Sequence, residues 1–323
     1  MIRSYTNQGN KLVEIDNGLE QVQDVIWYDL FNPTDGEEEA LESYLEINIP
    51  TREEMDEIEV SSRLFIENGT TFMTVILPAS SASEKVEMQP VTFVLSKKHL
   101  VTIRYHDPRA FQTFPARAAR GISECNTPEE VQLALLEATV DRLADILENV
   151  GRSIDEISHT IFRGRTNRKN RNASMQDTIE AIGRKGELTS NIRDSLATFE
   201  RLTGFLSHAS IQRGSSKQNR ERVKTLTRDV RSLSDHSGFL NQKVTFLLDA
   251  TLGMINIEQN AIIKIFSVAA VVFLPPTLIA SIYGMNFIHM PELNWLYGYP
   301  FAIGLMVLCA ILPYLFFKRR GWL

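Results

Sequence analysis

The sequence predicts an α+β protein: a cytoplasmic mixed α/β domain, a long helical stalk and two C-terminal transmembrane helices. Three observations predict it. Short apolar runs set between turn residues fill positions 1–125. From about residue 218 to Tyr283 no convincing helix stop appears. Two long stretches near the C-terminus, Ile265–Ile288 and Trp295–Phe317, contain no Asp, Glu, Lys or Arg. Length agrees with about two domains, since the chain has 323 residues.

In chain order, the N-terminal stretch MIRSYTNQGNKLVEIDNG lacks an apolar run, so no signal peptide is expected. Val25–Tyr28 reads as a strand, Arg63–Leu77 as a hairpin turning at Asn68-Gly69, and Val91–Leu95 with Leu100–Arg104 as another turning at Lys97-Lys98. Between them lies an acidic stretch with helical character, from Asp35 to Glu59, in which Arg52 is the one basic residue. Thr127-Pro128-Glu129-Glu130 is a helix start: a capping hydroxyl, proline in the first helical position and acids in the first turn. That helix is expected to run to about Phe162, and a second from about Met175 to Ser207. The domains are therefore drawn as 1–125 (α/β), 126–217 (stalk-associated helices), 218–283 (stalk helix continuing as a first span from about 264), 284–295 (external loop), 296–317 (second span) and 318–323 (basic tail).

Each charge-free stretch is long enough to cross about 30 Å of hydrocarbon as a helix, which takes about 20 residues. Lys264 precedes the first, and Lys318, Arg319 and Arg320 follow the second; the loop between them, Gly284–Asn294, has no Lys or Arg. By the positive-inside rule the loop is external and both termini are cytoplasmic.

Composition excludes several classes. A formal net charge of -6 argues against a nucleic-acid partner, and two distant cysteines, Cys125 and Cys309, form neither a disulfide framework nor a thiolate metal spacing. No Gly-x-x-x-x-Gly-Lys-Ser/Thr loop, Gly-x-Ser-x-Gly turn or catalytic dyad stands out, so no enzyme and no organic cofactor are expected. The six histidines show no ligand spacing.

The long helix carries a seam at alternating spacings of three and four: Asp249, Gly253, Asn256, Asn260, Ile263, Ser267, Ala270, Leu274, Thr277 and Ser281. It is small or polar nearly throughout, whereas neighbouring positions such as Ile265, Phe266, Val268, Val271 and Phe273 are bulky. A closely packed homodimer or bundle seam is one reading; an aqueous path is the other. Two spans cannot enclose a hydrated ion, so a path requires several subunits in a ring.

At the end of the first span stand Tyr283-Gly284-Met285-Asn286, followed by Phe287 and Met290-Pro291-Glu292-Leu293. In this position the chain resembles the CorA family of magnesium transporters, proteobacterial branch, as do Phe273-Leu274-Pro275-Pro276-Thr277 and the terminal Phe317–Leu323. The resemblance implies a homopentameric funnel in the inner membrane that admits Mg²⁺, with Co²⁺ and Ni²⁺ leaking through at the same charge and hydrated size. It implies a filter of Tyr283, Gly284, Met285 and Asn286, and a pore lined and gated at Asp249, Asn256, Asn260, Ile263, Phe266, Ser267, Leu274, Thr277 and Ser281. It further implies closure by cytosolic Mg²⁺ bound between neighbouring cytoplasmic domains. Asp229, in Arg228-Asp229-Val230, is the helix-borne ligand expected there, with Glu53, Asp56 and Glu57 as candidate partners; a solvated helix face is the other reading of that acidic stretch. Self, the lipid bilayer and divalent cations are the partners implied. A Zn²⁺ transporter of the same superfamily and a non-transporting membrane-tethered sensor remain the alternatives.

Overall fold

The structure, a computed structural model, describes residues 1–9, 11–15, 24–57, 59–79, 86–121, 124–163, 171–286, 290–291 and 295–322. It divides into two compact units, Met1–Leu247 and Leu248–Leu323. The elements in order are β1 (Ile2–Asn7), β2 (Leu12–Ile15), β3 (Val25–Phe31), α1 (Asp35–Leu45), α2 (Arg52–Asp56), α3 (Val60–Arg63), β4 (Leu64–Glu67), β5 (Thr70–Ala79), β6 (Glu87–Leu95), β7 (Leu100–Arg104), α4 (Arg109–Ala118), α5 (Pro128–Arg163), α6 (Arg171–Gln212), α7 (Lys217–Tyr283) and α8 (Gly298–Arg319).

In the first unit the seven strands form one sheet in the order β2-β1-β3-β7-β6-β5-β4. Its central pair, β3 with β7, is parallel, and the other pairings are antiparallel. The β4–β5 turn uses positive φ at both Asn68 (49°) and Gly69 (79°), the backbone that a two-residue hairpin needs and that Asn-Gly supplies at least strain. One face of the sheet buries Tyr28, Leu30, Phe72, Val94, Val101 and Ile103 with Leu41 of α1 and Met55 of α2. On β3, Tyr28 and Leu30 belong to that face; Trp27 and Asp29, of opposite parity, project from the other.

There Trp27 stacks on Tyr5 and meets the edge of Phe114 from α4. Its indole N–H donates to Thr102 Oγ1 at 2.9 Å, and the Thr102 hydroxyl donates to Asp29 Oδ1 at 2.8 Å. Arg104, 1% exposed, donates through Nε and Nη2 to both oxygens of Asp29 at 3.1 and 2.9 Å and through Nη1 to Asp107 at 2.6 Å. Its guanidinium lies between the rings of Phe31 and Phe111, at 4.4 and 5.0 Å. A buried charge is tolerated only when it is neutralised and hydrogen-bonded, and this pair meets both conditions.

Past Met73, β4 no longer covers β5. Ile76 instead donates its N–H to Thr198 Oγ1 and accepts from the Ser195 hydroxyl, both on α6. Thr127 caps α5, accepting from the Glu130 N–H at 3.3 Å, while Glu130 reaches back to the Asn126 N–H at 2.8 Å. The part of α7 in this unit buries Val223, Leu226, Val230, Ser237, Leu240, Val244 and Leu247, an alternating 3/4 stripe. Glycines let its neighbours approach: a Cβ on Gly186 of α6 would stand 3.1 Å from Val244, and one on Gly151 of α5 3.6 Å from Leu240. Arg222 adds a two-pronged pair to Glu137 of α5 at 2.9 and 2.8 Å.

Against the sequence reading, α5 begins at the expected Pro128, and α6 is longer than 175–207 by several residues at each end. The strands β1 and β2 and the helix α4 were not anticipated. The basic loop after α5 and much of the loop between α7 and α8 (287–289 and 292–294) lie outside the described residues.

Two outcomes are expected. Arg104→Met, which strands Asp29 in the interior, should destabilise the first unit by about 3–5 kcal/mol in denaturant unfolding followed by Trp27 fluorescence, and adding Asp29→Leu should recover part of that loss. Burial lowers the His106 pKa, its Nε2 facing the Leu77 carbonyl at 2.9 Å beside Arg104; burial lowers that of His99 likewise. With the folded value depressed, the unfolded chain binds more protons, so stability is full above the ordinary histidine value near 6.5 and falls as pH drops below it. His106→Gln should flatten that acid limb.

Candidate functional site

The second unit contains the distal part of α7 and the whole of α8, both long and apolar enough to cross a membrane. A membrane-crossing helix must satisfy its own backbone, and α7 runs through its apolar portion without a break although Pro275 and Pro276 lie inside it. The two prolines remove the N–H donors that would otherwise bond the Val271 and Val272 carbonyls. The next carbonyl, of Phe273, accepts the Thr277 hydroxyl at 2.8 Å. The middle of the apolar stretch thus carries backbone acceptors beside Leu274 and Thr277.

On a single chain the seam is uncovered. Asp249, Asn256, Asn260, Ile263, Ser267, Leu274, Thr277 and Ser281 are all exposed, Leu274 to 65%. Helical rise makes the row from Asp249 to Ser281 about 48 Å long. Phe266, also exposed, lies beside the seam rather than on it. The bulky flank of the helix is equally open at Ile265, Phe273 and Leu278, whereas Val268, off the seam, is buried. Two unlike faces of one helix therefore lack cover: an apolar one, and one bearing amides, hydroxyls and small side chains.

At its C-terminal end α7 closes with the Gly284 N–H bonded to the Ala280 carbonyl at 3.0 Å and the Met285 N–H to the Ile282 carbonyl at 3.2 Å. A Cβ on Gly284 would meet the Ala280 oxygen at 3.1 Å, so glycine is what lets the chain turn this closely over the last carbonyls. Asn286 follows directly; it is exposed, and its amide has no hydrogen bond to another described residue. Tyr283 is half-buried and Met285 exposed. Of the predicted filter loop, Phe287 and Glu292–Leu293 lie outside the described residues.

In the first unit, α7 exposes Asp235, Phe239, Gln242 and Phe246 away from its buried stripe. The ring of Phe246 stacks on that of Phe162, itself exposed. The sequence reading began the seam at Asp249; continuing the same 3/4 count toward the N-terminus would have reached these residues.

The predicted regulatory acids are not assembled within one chain. Glu53 and Asp56 are exposed on α2, with Glu57 at its C-terminal cap, and Asp229 is exposed on α7. Among the described residues, no three His, Cys, Asp or Glu side chains converge as a metal site. Asp141 of α5 is a neighbour that sequence reasoning missed. Burial raises its carboxyl above the usual range, opposed by Arg117 and reinforced by Glu137, Asp145 and Asp229.

Comparison with known proteins bears on this arrangement. Residues 22–319 match the family model described as CorA-like Mg²⁺ transporter protein. The chain is 35% identical to the magnesium transport protein CorA of Haemophilus influenzae over 325 residues, covering all of both chains. It is 38% identical to the protein of that name from Pectobacterium atrosepticum over 299 residues, 92% of each. Among solved structures, the complete CorA magnesium transporter of Methanocaldococcus jannaschii superposes with a TM-score of 0.80 at 20% identity, over 100% of this chain and 99% of that one.

If the seam faces water, its periodicity should be readable chemically. With Cys125 and Cys309 replaced, single cysteines at 260, 263, 267, 270, 274 and 277 should react with a charged thiol reagent faster than those at 265, 268 and 272. A flat profile would dissolve the distinction between the two faces.

Proposed function

The chain belongs to the CorA-like Mg²⁺ transporter family, and on that premise we propose that it is one subunit of a homopentameric channel admitting Mg²⁺ to the cytoplasm across the bacterial inner membrane. The observation that carries this reading is the exposed small-and-polar face of α7, which crosses an apolar segment and ends at Tyr283-Gly284-Met285-Asn286. An uncovered polar row inside a bilayer is expensive unless it faces water or other protein, and five copies turned inward supply both. The exposed Phe239 and Phe246 give neighbouring copies apolar surface to bury beyond the membrane. The cations Lys264, Lys318, Arg319 and Arg320 favour cytoplasmic termini.

Mg²⁺ is small and sheds water reluctantly. A ring of Asn286 amides at the outer mouth accepts hydrogen bonds from the ion's hydration shell, selecting size and charge without stripping it. Tyr283 and Gly284 shape that mouth and Met285 completes it. Farther in, Ser281, Thr277, Ser267, Asn260 and Asn256 continue the polar lining toward Asp249, and Leu274 and Ile263, with Phe266 alongside, form apolar constrictions that block conduction when they dewet. These donors are amide, hydroxyl and carboxylate oxygens, which suit Mg²⁺ better than Zn²⁺. Co²⁺ and Ni²⁺ pass by the same hydrated-ion logic. The membrane potential supplies the drive, about 4.6 kcal/mol per 100 mV for a divalent ion, twice the single-charge value.

Cytosolic Mg²⁺ closes the pore by bridging acids across neighbouring subunits, with Asp229 on one side and Glu53, Asp56 and Glu57 as the facing candidates. Loss of the ion leaves like charges opposed, and the subunits part.

The deciding experiment is uptake into liposomes loaded with a Mg²⁺-sensitive dye. Asn286→Ala should slow uptake about tenfold or more, a loss of about 1.4 kcal/mol, while the oligomer mass stays unchanged. Undiminished uptake removes Asn286 from the filter, and a wild-type protein that is monomeric or dimeric in lipid removes the channel itself.

A further inference from the structure

The C-terminal end of α8 is folded into a hook. Gly321 takes the left-handed conformation (φ 67°), and its N–H bonds the Lys318 carbonyl at 3.2 Å while the Trp322 N–H bonds the Phe317 carbonyl at 3.1 Å. These are the two reversed bonds of a Schellman motif, and the hydrophobic contact that accompanies such a motif is present, the Trp322 and Phe317 rings lying 5.3 Å apart. The hook turns the indole back onto α7, where the Lys264 ammonium sits 5.8 Å from its centre. Farther along, Phe317 meets Phe316 edge-on at 5.5 Å, and Phe316 carries the Arg320 guanidinium on its face at 5.0 Å. Three rings in series, Trp322, Phe317 and Phe316, are thus flanked by a cation at each end, Lys264 and Arg320, across the junction of two helices.

Lys264, Lys318, Arg319 and Arg320 are all exposed, and among the described residues none has a carboxylate within ion-pair distance. Among the described residues these four cations, grouped around the indole at the edge of two apolar helices, meet no carboxylate, at the depth where a bilayer places its phosphates. Cation–ring contacts hold Lys264 and Arg320 in position and leave their remaining N–H donors free.

We propose that this hook is a docking seat for the headgroup of an anionic phospholipid of the cytoplasmic leaflet. The phosphate is gripped between Lys264 and the Lys318–Arg320 run, and Trp322 is seated at the interface beside the acyl chains. The seat rests on the reading that α7 and α8 span the membrane with these ends inside, and it adds a lipid preference that spanning alone does not require. Each basic residue near a negatively charged surface contributes about 1 kcal/mol, about fivefold in affinity.

The test uses the full-length Trp295→Phe protein, in which Trp322 is the one indole besides the fully buried Trp27. It is reconstituted in vesicles containing either brominated phosphatidylglycerol or brominated phosphatidylcholine, and Trp322 quenching gives the relative affinity. The expected result is a preference of about fivefold or more for phosphatidylglycerol. That preference should fall toward one in K318Q/R319Q/R320Q and by severalfold in K264Q, whose indole remains quenched by lipid. Equal quenching by the two lipids in the parent protein, or a preference that survives both variants, overturns the seat. Reversal by inorganic phosphate at constant ionic strength overturns it in favour of a free anion, and no quenching by either lipid overturns the membrane reading beneath it.

Discussion

Everything in this molecule hangs on the continuity of α7. It is 67 residues long and serves two solvents in turn. In water, most helical stability comes from tertiary packing rather than from the helix itself, and α7 meets that requirement between Met1 and Leu247 with a stripe of Val, Leu and Ser set against α5 and α6. In hydrocarbon the requirement changes. The backbone must be self-satisfied, and packing is achieved through small and polar residues rather than large apolar ones. The composition of the helix changes accordingly, from an ordinary amphipathic pattern to one in which one face is bulky and apolar and another is small and polar.

The packing in the first unit explains why α7 can be so long without a partner of equal length. Close approach at Gly186 and Gly151, the Arg222–Glu137 pair, the Lys243–Asp155 pair and the Ser237 hydroxyl bonded to the Thr189 carbonyl fix it to two antecedent helices. The sheet in turn is held by a charged interior: Asp29, Arg104 and Thr102 lock the one parallel pair of strands, β3 and β7, whose pairing is not enforced by a tight turn.

How much of this was legible depended on range. Local signals were read well: Asn68-Gly69 demanded a hairpin, Thr127-Pro128 a helix start, and the two charge-free stretches a pair of spanning helices. The family resemblance was legible from Tyr283–Asn286 with Met290–Leu293 and is consistent with the full-length likeness to named magnesium transport proteins. Long-range features were not. In β1 the buried residues include Ser4, Tyr5 and Thr6, so the strand lacks the apolar alternation that announces one; it is a strand because β2 and β3 pair with it. The helix α4 is short and holds Pro115 within it. Arg104 and Asp29 look like surface charges in the sequence, and only the sheet brings their side chains together from positions 75 residues apart. The acids Glu53, Asp56, Glu57 and Asp229 are exposed and, among the described residues, converge on no metal site within one chain, so their grouping is legible in neither sequence nor fold.

The hydroxyls of Ser195 and Thr198 on the flank of β5 have a consequence for how copies meet. A strand with free N–H and C=O groups invites another strand, and growth by that route is open-ended. By occupying the Ile76 backbone with side chains from the same chain, α6 takes part of that border out of play. Along that stretch of β5 a second copy finds no backbone groups to pair with, so strand addition there is closed off.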